Sequence, residues 1–181
     1  MSSQLPVRAV ITGGPGTGKS TLIDASESAG IAVSREVARE ILLEPGGMAL
    51  RAEDPSGFAR AMLDREVAAF RRAGDHSAPV LFDRGFPDIV GFHRLSGLDI
   101  SDELDRACRN LRYEGPIFRA PPWEAIYAPD SERIQDWAEA QASDAAVTAA
   151  WRDYGYEQID LPLVPVMDRV AFISSRLRTS R

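Results

Sequence analysis

The segment Gly13-Gly14-Pro15-Gly16-Thr17-Gly18-Lys19-Ser20 constrains this chain more than any other stretch. It has the form Gly-x-x-x-x-Gly-Lys-Ser, whose glycines let the backbone wrap a phosphate closely and turn several N–H groups inward at conformations that side chains would obstruct. Lys19 is placed to reach the terminal phosphates and Ser20 to ligate magnesium. The helix expected from Thr21 to Ser28, with Gly30 behind it as a stop, turns its positive end toward the same anion. Before the loop, Val7-Arg8-Ala9-Val10-Ile11-Thr12 is a short apolar, β-branched run that reads as a buried strand. Strand, glycine loop and helix in this order predict a site for a nucleoside triphosphate with magnesium, built from residues 13 to 21.

Composition limits what else the chain does. With 181 residues and 44% hydrophobic side chains it reads as one domain over residues 1–181 with a sizeable core. A net charge of −6 and a pI near 5.0 give no general attraction to phosphate backbones or anionic lipid, so nucleic acid is not an expected partner and any anion needs a local site. Of the 21 basic residues only Lys19 is a lysine, the other twenty being arginine. The one compact ammonium thus stands where a flexible point charge suits a phosphate better than a planar fork. Cys108 alone excludes an internal disulfide and a multi-thiolate metal site, and the isolated His76 and His93 read as structural or solvated. No basic segment followed by an apolar stretch opens the chain, and no run of about eighteen apolar residues occurs. The expectation is a cytoplasmic protein without a membrane span.

Along the chain, Ile31–Ser34 reads as a second strand and Glu36–Leu43 as a short helix ended by Glu44-Pro45-Gly46-Gly47. Asp54-Pro55 is a capped helix start, with Phe58, Met62, Ala69 and Phe70 at helical spacing. Pro79-Val80-Leu81-Phe82 forms a third strand ending in Asp83. Helices follow near Pro87–Leu95 and Ser101–Tyr113, then a strand at Ile117-Phe118, a long helix over Ser131–Tyr154, a strand over Tyr156–Leu161 and a last helix over Pro165–Leu177. Alternating strands and helices predict an α/β fold with a parallel sheet covered on both faces and ligands at the carboxyl ends of the strands.

The end of the third strand narrows the chemistry. Motor-type ATPases place a water-activating glutamate after the strand-end aspartate, whereas here Arg84 follows Asp83. Guanine-specific GTPases read the base with Asn-Lys-x-Asp, and this chain has a single asparagine, Asn110, and no second lysine. Asp-Arg suits phosphoryl transfer: the carboxylate organises magnesium while the guanidinium braces the transferring phosphate or the acceptor. Glu36 and Arg39 form a second pair near the same sheet edge, a carboxylate able to take a proton from an acceptor hydroxyl and an arginine one helical turn on. Arg133, after the proline-rich loop, is placed for a mobile flap; Arg119, Arg109 and Arg112 are weaker candidates for that role. Trp123, Tyr127, Phe92 and Tyr113 could wall a ring, although core packing is the commoner role for any one of them.

The motifs Gly-Gly-Pro-Gly-Thr-Gly-Lys-Ser-Thr, Glu36-Val37-Ala38-Arg39, Phe82-Asp83-Arg84-Gly85, Pro87-Asp88 and Pro122-Trp123 through Asp130 and Arg133 occur in that order. Together they make the chain resemble the small P-loop, kinase-like ATPases grouped with the ribosylnicotinamide kinase domain. This resemblance implies a five-stranded sheet of order 2-3-1-4-5, Glu36 or Asp83 near the acceptor hydroxyl, and Arg133 in a lid of about residues 120–133. The leading expectation is an ATP- and magnesium-dependent kinase acting on a hydroxyl of a small molecule, nucleoside-like ones included. Lys19 and the loop amides hold the phosphates, Ser20 and Asp83 the metal, Glu36 is the first choice of base with Asp83 in reserve, and Arg84 and Arg133 stabilise transferred charge, with Arg39 at the acceptor. Two rivals are a nucleotide-dependent switch with a protein or lipid partner, and slow hydrolysis, against which the missing glutamate speaks.

Overall fold

Burial along the first strand sets the architecture. β1 (Arg8–Thr12) is buried throughout, Val10 facing one core and Ala9 and Ile11 the other, because successive strand side chains point to opposite faces. A strand apolar on both faces needs helices on both, and the computed structural model, which describes residues 7–126 and 137–179, supplies them. In chain order the elements are α1 (Lys19–Ser28), β2 (Ala32–Ser34), α2 (Val37–Leu43), α3 (Gly47–Glu53), α4 (Pro55–Arg72), β3 (Val80–Asp83), α5 (Phe86–Leu95), α6 (Asp102–Asn110), β4 (Ile117–Arg119), α7 (Trp137–Asp153), β5 (Gln158–Asp160) and α8 (Val166–Thr179). The five strands are all parallel, in the order β2-β3-β1-β4-β5. The fold is the P-loop α/β sandwich expected from the sequence. Ile11 lies opposite Asp83, Ser34 opposite Phe82 and Thr12 opposite Arg119, so the segments leaving β1, β2, β3 and β4 emerge on one edge.

On one face α2, α4, α5, α6 and α7 bury Phe58, Phe82, Phe86 and Trp151; on the other α1 and α8 bury Leu22, Ile23 and Ile173. Asp54 caps α4 by accepting from Gly57 N at 2.9 Å, and Ser101 caps α6 by accepting from Leu104 N at 3.2 Å. Each such cap is worth about 1 kcal/mol. The segment 131–136, expected as the start of a long helix, lies outside the described residues, and α7 is seen from Trp137. The sequence reading missed α3 because Gly46-Gly47 looked like a stop. Instead Gly46 turns the chain at φ 82° and Gly47 packs so closely on Ile41 O that a Cβ could not fit, so that α3 begins at once, at Gly47 itself. No described helix is long and apolar enough to cross a membrane.

The centre of the larger core is polar at one point. Tyr113, ringed by Phe70, Phe82, Phe86 and Trp151, donates its hydroxyl proton to Glu66 Oε1 at 2.6 Å and accepts from Phe86 N at 3.3 Å. Glu66 is 3% exposed, and burial pushes its carboxyl up to about 8, against the hydrogen bond from Tyr113. A carboxyl whose folded pKa is raised binds its proton more tightly in the native state. Its stabilisation is therefore complete below the ordinary value of 4.5 and is lost as pH rises through about 8. Thermal melts of wild type and Glu66→Gln between pH 5.5 and 8.5 check this: the wild-type melting temperature should fall relative to that of the variant as pH rises. Parallel curves would mean that Glu66 is ionised in the fold.

Candidate functional site

The loop after β1 is shaped by close approaches. Gly13 has φ 130°, and a Cβ there would lie 2.4 Å from Ala120 O; Gly18 has φ 76° at the start of α1. Only glycine meets both demands. Lys19 is 7% exposed, with Nζ donating to Gly14 O at 2.5 Å and to Thr17 Oγ1 at 3.2 Å, so its ammonium lies over the loop. Burial, with the charge of Arg84 added, lowers its pKa to about 8 despite the carboxylates of Asp83, Glu36 and Asp88. Ser20 and Thr21 are exposed at the start of α1, while Pro15 and Gly16 are half-buried at the loop tip.

Beside the loop stand the residues of the β3 end. Asp83 is buried, and its Oδ1 has no hydrogen-bond partner. Burial first, and then the charge of Glu36, raise its pKa to about 6 against Lys19 and Arg84. Arg84 takes a left-handed backbone at φ 74°, the one described non-glycine residue to do so, and its amide donates to Ile11 O at 2.9 Å. Such strain, of order 1–3 kcal/mol, persists where the surroundings over-determine it. Here they do: the guanidinium donates to Glu36 Oε1 at 2.8 Å, to Gly13 O at 3.0 Å and to Asp88 Oδ1 at 3.1 Å. Glu36 is 23% exposed at its side chain. Burial raises its pKa, but the charges of Arg84 and Lys19 and the bond from Arg84 outweigh it and hold the carboxylate below the usual range. Arg39, exposed one turn into α2, adds to that pull.

Glu36, Asp83, Arg84 and Lys19 are thus brought together, as expected, around the mouth of the loop. Arg133 and Tyr127, and the part of the expected lid from residue 127 on, lie outside the described residues. The other arginines weighed for a flap are occupied. Arg119 donates to Asp144 at 2.6 Å and Asp160 at 3.0 Å, Arg109 to Asp105 at 2.8 Å, and Arg112 to Tyr154 O at 2.7 Å. Tyr113 and Phe92 pack in the core and form no ring wall. His93 is buried with Nδ1 2.7 Å from Asp99 O, a structural histidine. A cleft of about 560 Å³ between β2 and α4, lined by Val33, Arg35, Arg65 and His76, holds none of the loop or strand-end residues. Its Arg35 and Arg65 are already paired, with Asp24 and Glu44, each at 2.7 Å.

Magnesium is the one metal the loop motif calls for. Among the described residues no three His, Cys, Asp or Glu cluster around a cation. The free, buried Oδ1 of Asp83 and the exposed Ser20 fit a magnesium ion that phosphates and water would largely coordinate.

Several residues that hold this site carry no sequence signal of their own. Asp88 accepts from Thr12 Oγ1 at 2.8 Å, Gly85 N at 3.1 Å and Trp151 Nε1 at 3.0 Å, besides Arg84. Trp151 also donates to Thr12 Oγ1 at 3.0 Å. Asp144, clamped by Arg119, accepts from Gly14 N at 3.3 Å, so α7 touches both the loop and the strand-end network. Arg169 of α8 donates to Thr17 O at 3.3 Å. The Pro87-Asp88 pair was visible as a motif but without a role, and Trp151, Asp144 and Arg169 lie 139, 130 and 152 residues from their loop or strand partners.

Known folds agree with this arrangement. Deoxyadenosine kinase from M. mycoides, in a structure with dCMP and dCDP bound, superposes with a TM-score of 0.69 at 15% identity, covering 95% of this chain and 99% of that one. The NadR protein in complex with NR gives 0.71 at 16% identity, and the match spans 97% of this chain but only 53% of NadR. Thymidylate kinase from Candida albicans gives 0.62 at 11% identity, covering 97% and 92%. No curated protein matches the chain. A family model described as AAA domain matches residues 8–169. With its phosphate-loop motif, its 2-3-1-4-5 parallel sheet and that match over most of its length, the chain belongs to this AAA-domain family.

Proposed function

We propose that this protein is an ATP- and magnesium-dependent phosphotransferase that moves the γ-phosphate to a hydroxyl of a small, nucleoside-like molecule. The observation that carries the reading is the Glu36–Arg84 pair at 2.8 Å beside the loop of Lys19. A partly exposed carboxylate next to a guanidinium and a phosphate-loop ammonium is what in-line transfer to a hydroxyl requires, and a hydrolase would instead need a water-activating glutamate after Asp83. The nucleoside and nucleotide kinases that share the fold support the acceptor class.

In this reading Lys19 and the backbone N–H groups of residues 13 to 21, Pro15 excepted, bind the β- and γ-phosphates, and Ser20 and Asp83 would hold magnesium, which would supply neutralising positive charge. Glu36 orients the acceptor hydroxyl and takes its proton. Arg84 bridges Glu36 to the loop and lies where transferred charge accumulates. Arg39, on α2, is assigned to the acceptor, and Arg133, outside the described residues, keeps only its expected role of stabilising transferred charge. Exposure supports this division of labour. Glu36 is open to an acceptor, whereas Asp83 is buried with an unpaired oxygen that suits a metal. The higher pKa of Asp83, about 6, would make it the stronger base if an acceptor could reach it. Asp88 positions Arg84 without touching either ligand.

Lys19→Ala should weaken ATP binding about 10- to 100-fold with an unchanged circular dichroism spectrum, as expected for loss of a hydrogen bond to a charged group. Calorimetric titration with wild-type affinity in that variant would refute the loop assignment. Transfer of labelled γ-phosphate across a library of nucleosides, sugars and amino alcohols identifies the acceptor, and ATP consumption that no acceptor alters would remove the kinase reading. With the acceptor in hand, Glu36→Gln should lower kcat about 100-fold or more at unchanged ATP affinity, and Asp83→Asn should raise the magnesium concentration needed. The opposite pattern, with Glu36→Gln active and Asp83→Asn dead at saturating magnesium, moves the base to Asp83. Asp88→Asn, which turns one acceptor oxygen into a donor facing Thr12, Trp151 or Gly85, should lower both the melting temperature and kcat while ATP affinity changes less than kcat. Full activity in that variant would show that Arg84 does not depend on it.

A further inference from the structure

Three cations among the described residues are buried, and two of them have acidic company. Arg8 pairs with Glu114 at 2.7 Å, and Lys19 lies in the field of Asp83, Glu36 and Asp88. Arg169 differs. It is 3% exposed, and among the described residues its one hydrogen bond runs from NH1 to Thr17 O at 3.3 Å and its buried Nε has no partner. Burial alone depresses its pKa, so no carboxylate among the described residues offsets the cost of its charge. A buried guanidinium with no acid beside it is destabilising, and perturbed charges of this kind cluster at sites that bind a ligand.

Its position says which anion. Arg169 stands near the start of α8, which packs on α1 in the smaller core, and its NH1 lies 3.3 Å from where a Cβ on Gly18 would be, with Ile126 Cδ1 at the same distance. The guanidinium therefore flanks the loop at Thr17-Gly18, where the positive end of α1 begins. Glu36, Asp83 and Arg84 stand on the other flank, toward β2 and β3. A triphosphate whose γ end faces those residues must run its α end and nucleoside toward β4, β5 and α8.

We propose that Arg169 is a second cation of the nucleotide site, whose ionic partner is the α-phosphate end of the bound nucleoside triphosphate. The inference rests on the triphosphate reading of the loop and deepens it. Arg169 holds Thr17 by its carbonyl with no acid beside it among the described residues, and a bound anion would compensate its charge.

ATP titrations and thermal melts of wild type, Lys19→Ala, Arg169→Gln and Arg169→Lys test this. Glutamine removes the charge but keeps an N–H for Thr17 O, and lysine keeps the charge. Arg169→Gln should melt in the absence of nucleotide at or above the wild-type temperature and bind ATP at least about tenfold more weakly, whereas Arg169→Lys should bind within about threefold of wild type. Wild-type ATP affinity in Arg169→Gln, or an equal loss in Arg169→Lys, overturns the proposal and leaves Arg169 as a structural prop. If wild type itself gives no heat with ATP, the triphosphate reading fails instead; if wild type and Lys19→Ala behave as expected while Arg169→Gln binds normally, only the Arg169 inference fails.

Discussion

The carboxylate of Asp88 joins segments that no stretch of backbone connects. It accepts from Thr12 at the end of β1, from Gly85 in the turn after β3, from Trp151 of α7 and from Arg84, which in turn reaches Gly13 O and Glu36. Strand ends in a parallel sheet diverge into loops, and nothing in the ladder hydrogen bonds fixes where those loops point. Burial pushes the Asp88 carboxyl up, yet Arg84, Thr12, Gly85 and Trp151 all favour its charge. Removing it would leave several buried donors unpaired, at about 1–3 kcal/mol each. That cost fixes Arg84 in its left-handed conformation, and Arg84 fixes Glu36 relative to the loop.

Much of this was legible in the sequence, because the informative signals are local. The glycine spacing of the loop, the Asp54 cap, the strand runs and the adjacency of Asp83 and Arg84 each fit within about eight residues, and each has a backbone reason that tertiary context does not overturn. Local signals also failed locally. Gly46-Gly47 stops α2 as read, but the same pair restarts the chain as α3, and no propensity distinguishes a stop from a tight corner when the contact that decides it is Gly47 against Ile41 O. The sheet order came from a resemblance, since alternation predicts parallel strands and not their sequence across the sheet.

The supporting shell was not legible. Trp151 and Asp144 lie in an alanine-rich helix in which no short-range pattern marks either residue. Their partners, Thr12, Asp88, Gly14 and Arg119, are fixed only once the packing of α7 against α5 has been determined. That packing depends in turn on Gly91, where a Cβ would come within 2.7 Å of Val147. A side chain's role as a brace belongs to the register between elements, which one sequence does not encode in any short window.

The same shell explains how charge is distributed around the loop. On the β2 and β3 flank, the acids Glu36, Asp83 and Asp88 surround Arg84 and share the field of Lys19, so the positive charge there is offset before any ligand arrives. On the α8 flank Arg169 has no acid among the described residues. A polyphosphate laid along the loop would then meet an acid-rich end and an end where Arg169 has no acid among the described residues, and under the proposed reading this asymmetry would give it a direction. In the proposed orientation the reacting phosphate would lie where carboxylates can manage a proton and a metal, and the rest of the molecule would run toward Arg169, the acids beside β4 and β5, Asp144 and Asp160, being paired with Arg119. Orientation of the ligand would then follow from which helix packs against which side of one glycine loop, ahead of any contact with the base.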